Sequence, residues 1–239
     1  MKQGSFIAVG GCHISGYAIA SNPSFVQLTE TRTGLTCILK QPHFPLKKIN
    51  QLDAMIEESN PEKVLLQLGN YEFHASIKRL LKKKKKKNSR SLNVEHDLSS
   101  SSENPSSAAN SSLVGFKNER RIEPFLRMIV LPFIWLFLLN RNRAYLKKVY
   151  ELTKKHSSKQ FFILSPIPCL KFSDNYIRRK AAKFINKLLA LQPNVIFIDL
   201  FDHLPQYKAL YIDTFHLNAI GHKKLGKIVS SEILKTLAS

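Results

Sequence analysis

The stretch Ser5-Phe6-Ile7-Ala8-Val9-Gly10 is a short apolar run that ends in glycine. Runs of similar length recur along the chain at residues 34–40, 63–68, 160–164 and 194–200. Apolar runs with little polar interruption are typical of strands that are buried on both faces of a parallel sheet. The five runs therefore predict five parallel strands.

Helical patterns lie between and after these runs. Apolar residues recur at helical spacing before the third run, before the fifth and after it: Ile49, Leu52, Met55 and Ile56; Ile177, Ala181, Phe184, Ile185 and Leu188; Leu225, Ile228, Val229, Ile233 and Leu237. Ser173 or Asp174 could cap the second of these helices, and Asn218 could cap the last.

Strands that alternate with helices predict an α/β fold, a three-layer α/β/α sandwich around a parallel sheet of about five strands. Active sites in such sheets form beyond the carboxyl ends of the strands. We therefore expect active-site residues just after positions 10, 40, 68, 165 and 200.

Length and cysteine content limit the class of protein. A chain of 239 residues with 44% hydrophobic residues can bury one core, so a single domain over residues 1–239 is expected. Three cysteines do not suggest a disulfide framework and favour a reducing compartment. The apolar run Phe6–Val9 is too short for a signal-peptide core, so we expect a cytoplasmic protein.

The interval between the third and fourth runs breaks the pattern. Residues at about 82–120 contain the run Lys82–Lys87 and a Ser/Asn-rich tract, and this composition predicts a flexible, basic insertion. The formal net charge is +20, which favours anionic partners in general. Nucleic acid is not an expected partner, because no aromatic interleaving or nucleic-acid motif accompanies the lysines.

An apolar segment, residues 128–139, follows the insertion and predicts a helix at about 122–155. Twelve helical residues extend about 18 Å, too short to span a hydrocarbon core of about 30 Å. One interpretation is a buried helix that crosses between the third and fourth strands, with Pro132 as a kink or in its first turn. The other is a helix at an anionic membrane surface, assisted by Lys82–Lys87, which would make the protein peripheral to the inner face of a membrane.

The first strand is followed by Gly10-Gly11-Cys12-His13. A tight glycine turn that presents a nucleophile at the start of a helix places a reactive side chain at the edge of the sheet. The positive end of a helix would also lower the pKa of a thiol. Cys12 is therefore a candidate nucleophile, although free cysteines are often small buried hydrophobic residues. His13 borders this position and could bind substrate.

The last run is followed by Asp213-Thr214-Phe215-His216-Leu217-Asn218-Ala219-Ile220-Gly221-His222. An aspartate three residues before a histidine can support the imidazole while the other ring nitrogen faces a pocket, as a general base requires. The remaining histidines have no metal-ligand spacing with the cysteines, so no metal and no cofactor are expected.

The D-x-x-H-L-N-x-x-G-H pattern, the glycine turn with its nucleophile after the first strand, and Gly69 at the end of the third resemble the SGNH/GDSL hydrolases. The resemblance covers most of the chain outside residues 75–158. It implies a flavodoxin-like three-layer sandwich that hydrolyses or transfers ester and acyl groups of lipids or carbohydrates.

The resemblance also implies the site residues. The catalytic residues would be Cys12, His216 and Asp213. The residues that contact the oxyanion or bind the substrate would be Gly11, Asn70 and His13.

The chain departs from the family pattern in three places. Cys12 stands where the family has serine, and Gly11 where it has aspartate; a register shifted by one would place His13 at the nucleophile. Asn70 lies one position early, and Lys40–Phe44 lacks the glycine expected after the second strand. A degenerate SGNH-like binding module in polysaccharide metabolism is therefore the alternative to a hydrolase or acyltransferase.

Overall fold

The computed structural model describes residues 4–17, 19, 21–74 and 124–238, with side chains of the last stretch described from 129. Its sheet has five parallel strands in the order β2-β1-β3-β4-β5. The strands are β1 (Ser5–Val9), β2 (Thr36–Gln41), β3 (Lys63–Gln67), β4 (Gln160–Leu164) and β5 (Val195–Ile198). The helices are α1 (Phe25–Thr33), α2 (Ile49–Ser59), α3 (Pro124–Lys155), α4 (Phe172–Leu189), α5 (Leu200–His203) and α6 (Ala219–Leu237).

The sheet and its helices belong to one compact unit, residues 1–75 and 128–239. The second unit, residues 76–127, lies almost wholly outside the described part of the chain. The predicted insertion at about 82–120 lies outside the described residues as well.

The predicted fold class is confirmed. Each of the five apolar runs contains a strand, and alternate residues of each strand face opposite layers because side chains alternate across a sheet. Ile7 and Val9 of β1 face a core with α2, α3 and α4, whereas Phe6 and Ala8 face a core with α1 and α6. Helices therefore cover both faces, which gives the three layers.

Helix α3 connects β3 to β4, and it continues through Pro132. Leu131, Ile134 and Leu138 on one face pack into the core, while the opposite face is exposed. The helix is thus buried along one face only. Among the described residues, no helix is long and apolar enough to cross a membrane.

Two helix starts differ from the sequence prediction. The helix expected to begin at Cys12 is a four-residue 3₁₀ turn, Cys12–Ser15, because the chain turns at Gly16 into the left-handed conformation (φ 76°). Helix α4 begins at Phe172 with Lys171 at its cap position, two or three residues earlier than predicted. The cap of α6 is as predicted, since the Asn218 side chain accepts the N–H of Gly221 at 3.0 Å.

Candidate active site

Cys12 and His216 meet beyond the carboxyl end of β1. Cys12 directly follows the glycines that end the strand, and His216 lies on the loop that leads into α6. The thiol of Cys12 is the largest influence on the pKa of the His216 imidazole, which makes the two side chains neighbours. Nδ1 of His216 lies 2.7 Å from Oδ2 of Asp213, so Nε2 is the nitrogen left to face the thiol.

The carboxylate of Asp213 is organised by its own loop. Oδ1 accepts the backbone N–H groups of Phe215 at 2.7 Å and His216 at 2.8 Å, while Oδ2 holds the imidazole. Burial alone would raise the pKa of Asp213, but these hydrogen bonds outweigh it and lower the pKa. Asp213 is therefore held ionised as the support for His216.

The environment of His216 favours its protonated form. The interaction with Cys12 and, after it, the contact with Asp213 raise the pKa of His216 to about 9, against the opposing effect of partial burial. The imidazole is also partly open to solvent, with 24% of its side chain exposed. Such a group can hold a proton next to the sulfur and release it to a leaving group.

His13 lies behind Cys12, buried between two other histidines. Its ring centroid is 5.8 Å from that of His216 and 5.8 Å from that of His222. Nδ1 lies 3.7 Å from Sγ of Cys12, and Nε2 accepts the N–H of Leu217 at 3.3 Å. Burial, followed by the charges of His222 and His216, holds the pKa of His13 well below its usual value.

Gly11 permits a close approach of two side chains. A Cβ at this position would lie 2.9 Å from Oε1 of Gln67 and 3.0 Å from Nδ2 of Asn70. The N–H of Gly11 donates to Oε1 of Gln67 at 3.0 Å, so this amide points into the protein. The role of Gln67 could not be predicted from the sequence, because its contact with Gly11 spans 56 positions.

The orientation of Asn70 follows from its partners. Oδ1 accepts the N–H of Ile167 at 2.8 Å, which leaves the NH₂ group as the end of the side chain nearest Gly11. Arg178, buried on α4, donates to the carbonyl of Ile167 at 2.7 Å and lies 3.5 Å from that of Asn70. It thereby ties together the loops after β3 and β4. Sequence reasoning missed Arg178, which reads as one more cation on an amphipathic helix.

The segment after β2 contributes to the rim of the site. The N–H of Phe44 donates to the carbonyl of Gly10 at 2.8 Å, and Nδ1 of His43 lies 2.8 Å from the hydroxyl of Tyr71. Tyr17 packs against His216 with ring centroids 4.5 Å apart. The two tyrosines were also missed, since neither forms part of a recognisable motif.

A cluster with metal-ligating side chains lies elsewhere, where α2 meets the end of α3. One ligand atom from each of Asp53, Glu57 and His156 lies within 4.8 Å of the others. The ammonium of Lys155 contacts both carboxylates, at 2.8 Å and 2.7 Å, so a protein cation already neutralises this cluster.

Comparison with known proteins gives structural matches only. No protein-family model and no curated protein sequence matches the chain. A family 3 carbohydrate esterase from Clostridium thermocellum is 14% identical, with a TM-score of 0.57 and full coverage of both chains. A lipolytic protein of the G-D-S-L family from Desulfitobacterium hafniense is 10% identical, with a TM-score of 0.56, over 95% of this chain and 98% of that one.

A catalytic mutant of an acetylxylan esterase from Geobacillus stearothermophilus is 10% identical, with a TM-score of 0.57, over 98% of this chain and 96% of that one. The three matches cover at least 95% of this chain with TM-scores of 0.56 to 0.57, and the chain therefore has the fold of the SGNH/GDSL hydrolases.

Proposed function

We propose that this protein is an ester hydrolase or acyltransferase in which Cys12 is the nucleophile, His216 the proton carrier and Asp213 the support of His216. The observation that carries the proposal is the contact of His216 Nδ1 with Asp213 Oδ2 at 2.7 Å at the carboxyl edge of the sheet, with the thiol of Cys12 close enough to be the largest influence on the pKa of His216. A thiol, an imidazole and a carboxylate in this order are competent for acyl transfer, because the histidine can remove and return the thiol proton.

In the first half of the reaction, His216 already holds the proton shared with Cys12, and the sulfur of Cys12 attacks the carbonyl carbon of an ester. The C–S bond forms as the carbonyl oxygen becomes an oxyanion. When the oxyanion collapses, the bond to the alcohol oxygen breaks and the leaving alkoxide takes the proton from His216. The product is a thioester on Cys12 and a free alcohol.

In the second half, water or a hydroxyl group of an acceptor gives its proton to His216 and attacks the thioester. The C–S bond then breaks, and Cys12 recovers the proton from His216. Water as the attacking group gives a carboxylic acid, whereas a sugar or lipid hydroxyl gives a new ester.

Two donors support the oxyanion in this proposal. One is the NH₂ group of Asn70, whose other terminus is fixed by Ile167. The other is the N–H of Cys12, the first residue of its 3₁₀ turn and so without an acceptor within that turn. The amide of Gly11 is engaged by Gln67, and Gly11 contributes space rather than a donor.

The substrate class proposed is an ester of a carbohydrate or a lipid. The structural neighbours include a carbohydrate esterase, an acetylxylan esterase and a lipolytic protein, which favours a small acyl ester on either kind of carrier. His13 lies too deep to contact a substrate directly, and we assign it to the support of Cys12.

The proposal is tested by trapping the acyl-enzyme. Incubation with p-nitrophenyl acetate followed by mass spectrometry of peptides should find acetate on Cys12, and neither Cys12→Ala nor His216→Ala should form this adduct. Cys37→Ala is the matched control, since burial raises the pKa of Cys37 to about 11 and makes that thiol unreactive.

Acetylation of Cys12 that persists in His216→Ala would contradict the pairing. A wild-type protein that forms no adduct with any activated ester, yet binds acetylated glycans, would instead support a silent binding module.

A further inference from the structure

The outward face of α3 carries a row of exposed apolar side chains. Ile129, Phe133, Leu136 and Phe137 have exposed fractions of 48%, 68%, 52% and 52%. Their spacing of four, three and one residues places them on one side of the helix. We propose that this row, the apolar face of α3, docks on the surface of an anionic lipid bilayer.

Charge along the same helix supports a bilayer as the partner. Beyond Phe137 the exposed residues become basic, with Arg141, Arg143, Lys147 and Lys148, and no acidic residue occurs between positions 129 and 150. The outward face thus changes from apolar to cationic along its length. In an anionic bilayer, the acyl region would contact the apolar part of this face and the negative headgroups would contact the cationic part.

The dimensions agree with insertion to interfacial depth. Ile129 and Phe137 are eight residues apart, which corresponds to about 12 Å along a helix. Amphipathic elements bury their apolar faces about 5–10 Å into the boundary between headgroups and acyl chains. A tilted α3 would therefore place its aromatic residues below the headgroups and its basic residues among them.

Charge argues against a second copy of the chain as the occupant. Two such faces brought together would oppose eight positive side chains, in a protein whose net charge is already +20. A bilayer with negative headgroups removes this repulsion and covers the same apolar area.

The apolar face lies at the edge of the sheet where Cys12 is found. Trp135, on the same helical turns, packs against Phe73 with ring centroids 5.7 Å apart. Phe73 donates its N–H to the carbonyl of Gly69, just beyond the carboxyl end of β3 and next to Asn70. Docking would therefore bring the edge of the sheet that carries Cys12 towards the lipid. It follows that the ester substrate is held in a membrane, and this consequence rests on the proposed function.

The test is sedimentation of the full chain with vesicles of phosphatidylcholine containing about 30% phosphatidylglycerol, compared with pure phosphatidylcholine. We expect binding to the anionic vesicles, weakened when salt is raised from about 0.1 to about 0.5 M. Phe133→Ser with Phe137→Ser should lower the affinity at least about tenfold. Leu191→Ser is the matched control, because Leu191 is 87% exposed and lies at the opposite edge, before β5.

The cationic part is tested separately. Arg143→Gln with Lys147→Gln should weaken binding several-fold, whereas Lys223→Gln with Lys227→Gln on α6 removes the same charge from the other layer and should have little effect. An equal loss of vesicle affinity in the two double variants would show that positive charge anywhere on the surface attracts the vesicles, and it would overturn the proposal.

Two further outcomes would overturn it. One is the absence of wild-type binding to anionic vesicles. The other is a wild-type dimer that Phe133→Ser with Phe137→Ser converts to a monomer, with no change in vesicle binding. Cys12→Ala should bind vesicles as the wild type does, so failure of the proposed chemistry and failure of membrane docking are distinguishable.

Discussion

The backbone N–H of Leu217 donates a hydrogen bond to Nε2 of His13 at 3.3 Å, across 204 positions of sequence. A backbone amide can only donate, so Nε2 is the acceptor, and we assign the ring proton of neutral His13 to Nδ1. Nδ1 faces Sγ of Cys12 at 3.7 Å. The loop that carries His216 therefore also determines which proton His13 presents to the nucleophile.

Replacement of His13 should weaken the nucleophile. His13→Gln removes the donor that faces the sulfur, and loss of one hydrogen bond to the sulfur should slow iodoacetamide alkylation of Cys12 at neutral pH by about fivefold. His13→Asn can place an NH₂ group near the position of Nδ1 and should recover part of the rate. Identical rates in His13→Gln and the wild type would contradict the tautomer assignment.

The rate of acylation should depend on the proton of His216. Because the pKa of this group is raised to about 9, the leaving alcohol should lose its proton donor as pH rises through about 9, and the rate should fall there. Asp213→Asn removes the charge that helps to hold the proton, so the fall should move to lower pH.

The same shift predicts a change in stability. A raised folded-state pKa stabilises the fold fully below the ordinary value of about 6.5, and this contribution is lost as pH rises through about 9. Thermal unfolding between pH 6 and 9.5 should show a larger loss of Tm for the wild type than for His216→Gln. An equal loss in both proteins would count against the raised pKa.

Asn70→Asp tests the roles of the two ends of the Asn70 side chain, the acceptor oxygen and the NH₂ donor, independently. The aspartate can still accept the N–H of Ile167, so Tm should change little, but it has no NH₂ group for the oxyanion. Loss of one such donor costs on the order of a hundredfold or more in rate. Stopped-flow acylation with p-nitrophenyl acetate measures the effect, and a loss below about threefold would remove Asn70 from the oxyanion site.

Arg178 is expected to act as a positioning residue. Arg178→Met leaves the carbonyl of Ile167 without its donor and should lower the free energy of unfolding by about 1–3 kcal/mol. It should also lower kcat for the ester more than it raises KM, because the loop that holds Asn70 loses its contact with the Arg178 guanidinium. Arg179→Met, at an exposed neighbouring position, is the control; an equal effect in both variants would exclude a specific role for Arg178.

The fold was predictable because its signals are local. Each strand is a run of apolar residues that is visible without any partner, and the cap at Asn218 is a short-range contact. The pair Asp213 and His216 was predictable for the same reason, since three residues separate them.

The rest of the site depends on contacts that no local pattern encodes. Gln67 reaches Gly11 across 56 positions, and Asn70 reaches Ile167 across 97. The helix expected at Cys12 was wrong because Gly16 ends the turn after four residues, so the proposed nucleophile has no long helix behind it. In the proposed function its activation comes from neighbouring side chains, which no local pattern in the sequence identifies.

The packing of α1 against α6 has a consequence for biosynthesis. Nδ1 of His222 on α6 accepts the N–H of Phe25 on α1, and Ser230 accepts a hydrogen bond from Arg32. A ribosome delivers Cys12 some two hundred residues before His216, the residue proposed to carry its proton. Under that proposal, Cys12 could react only after α6 has been made and has packed on α1, so its acylation would report that this pair of helices has formed.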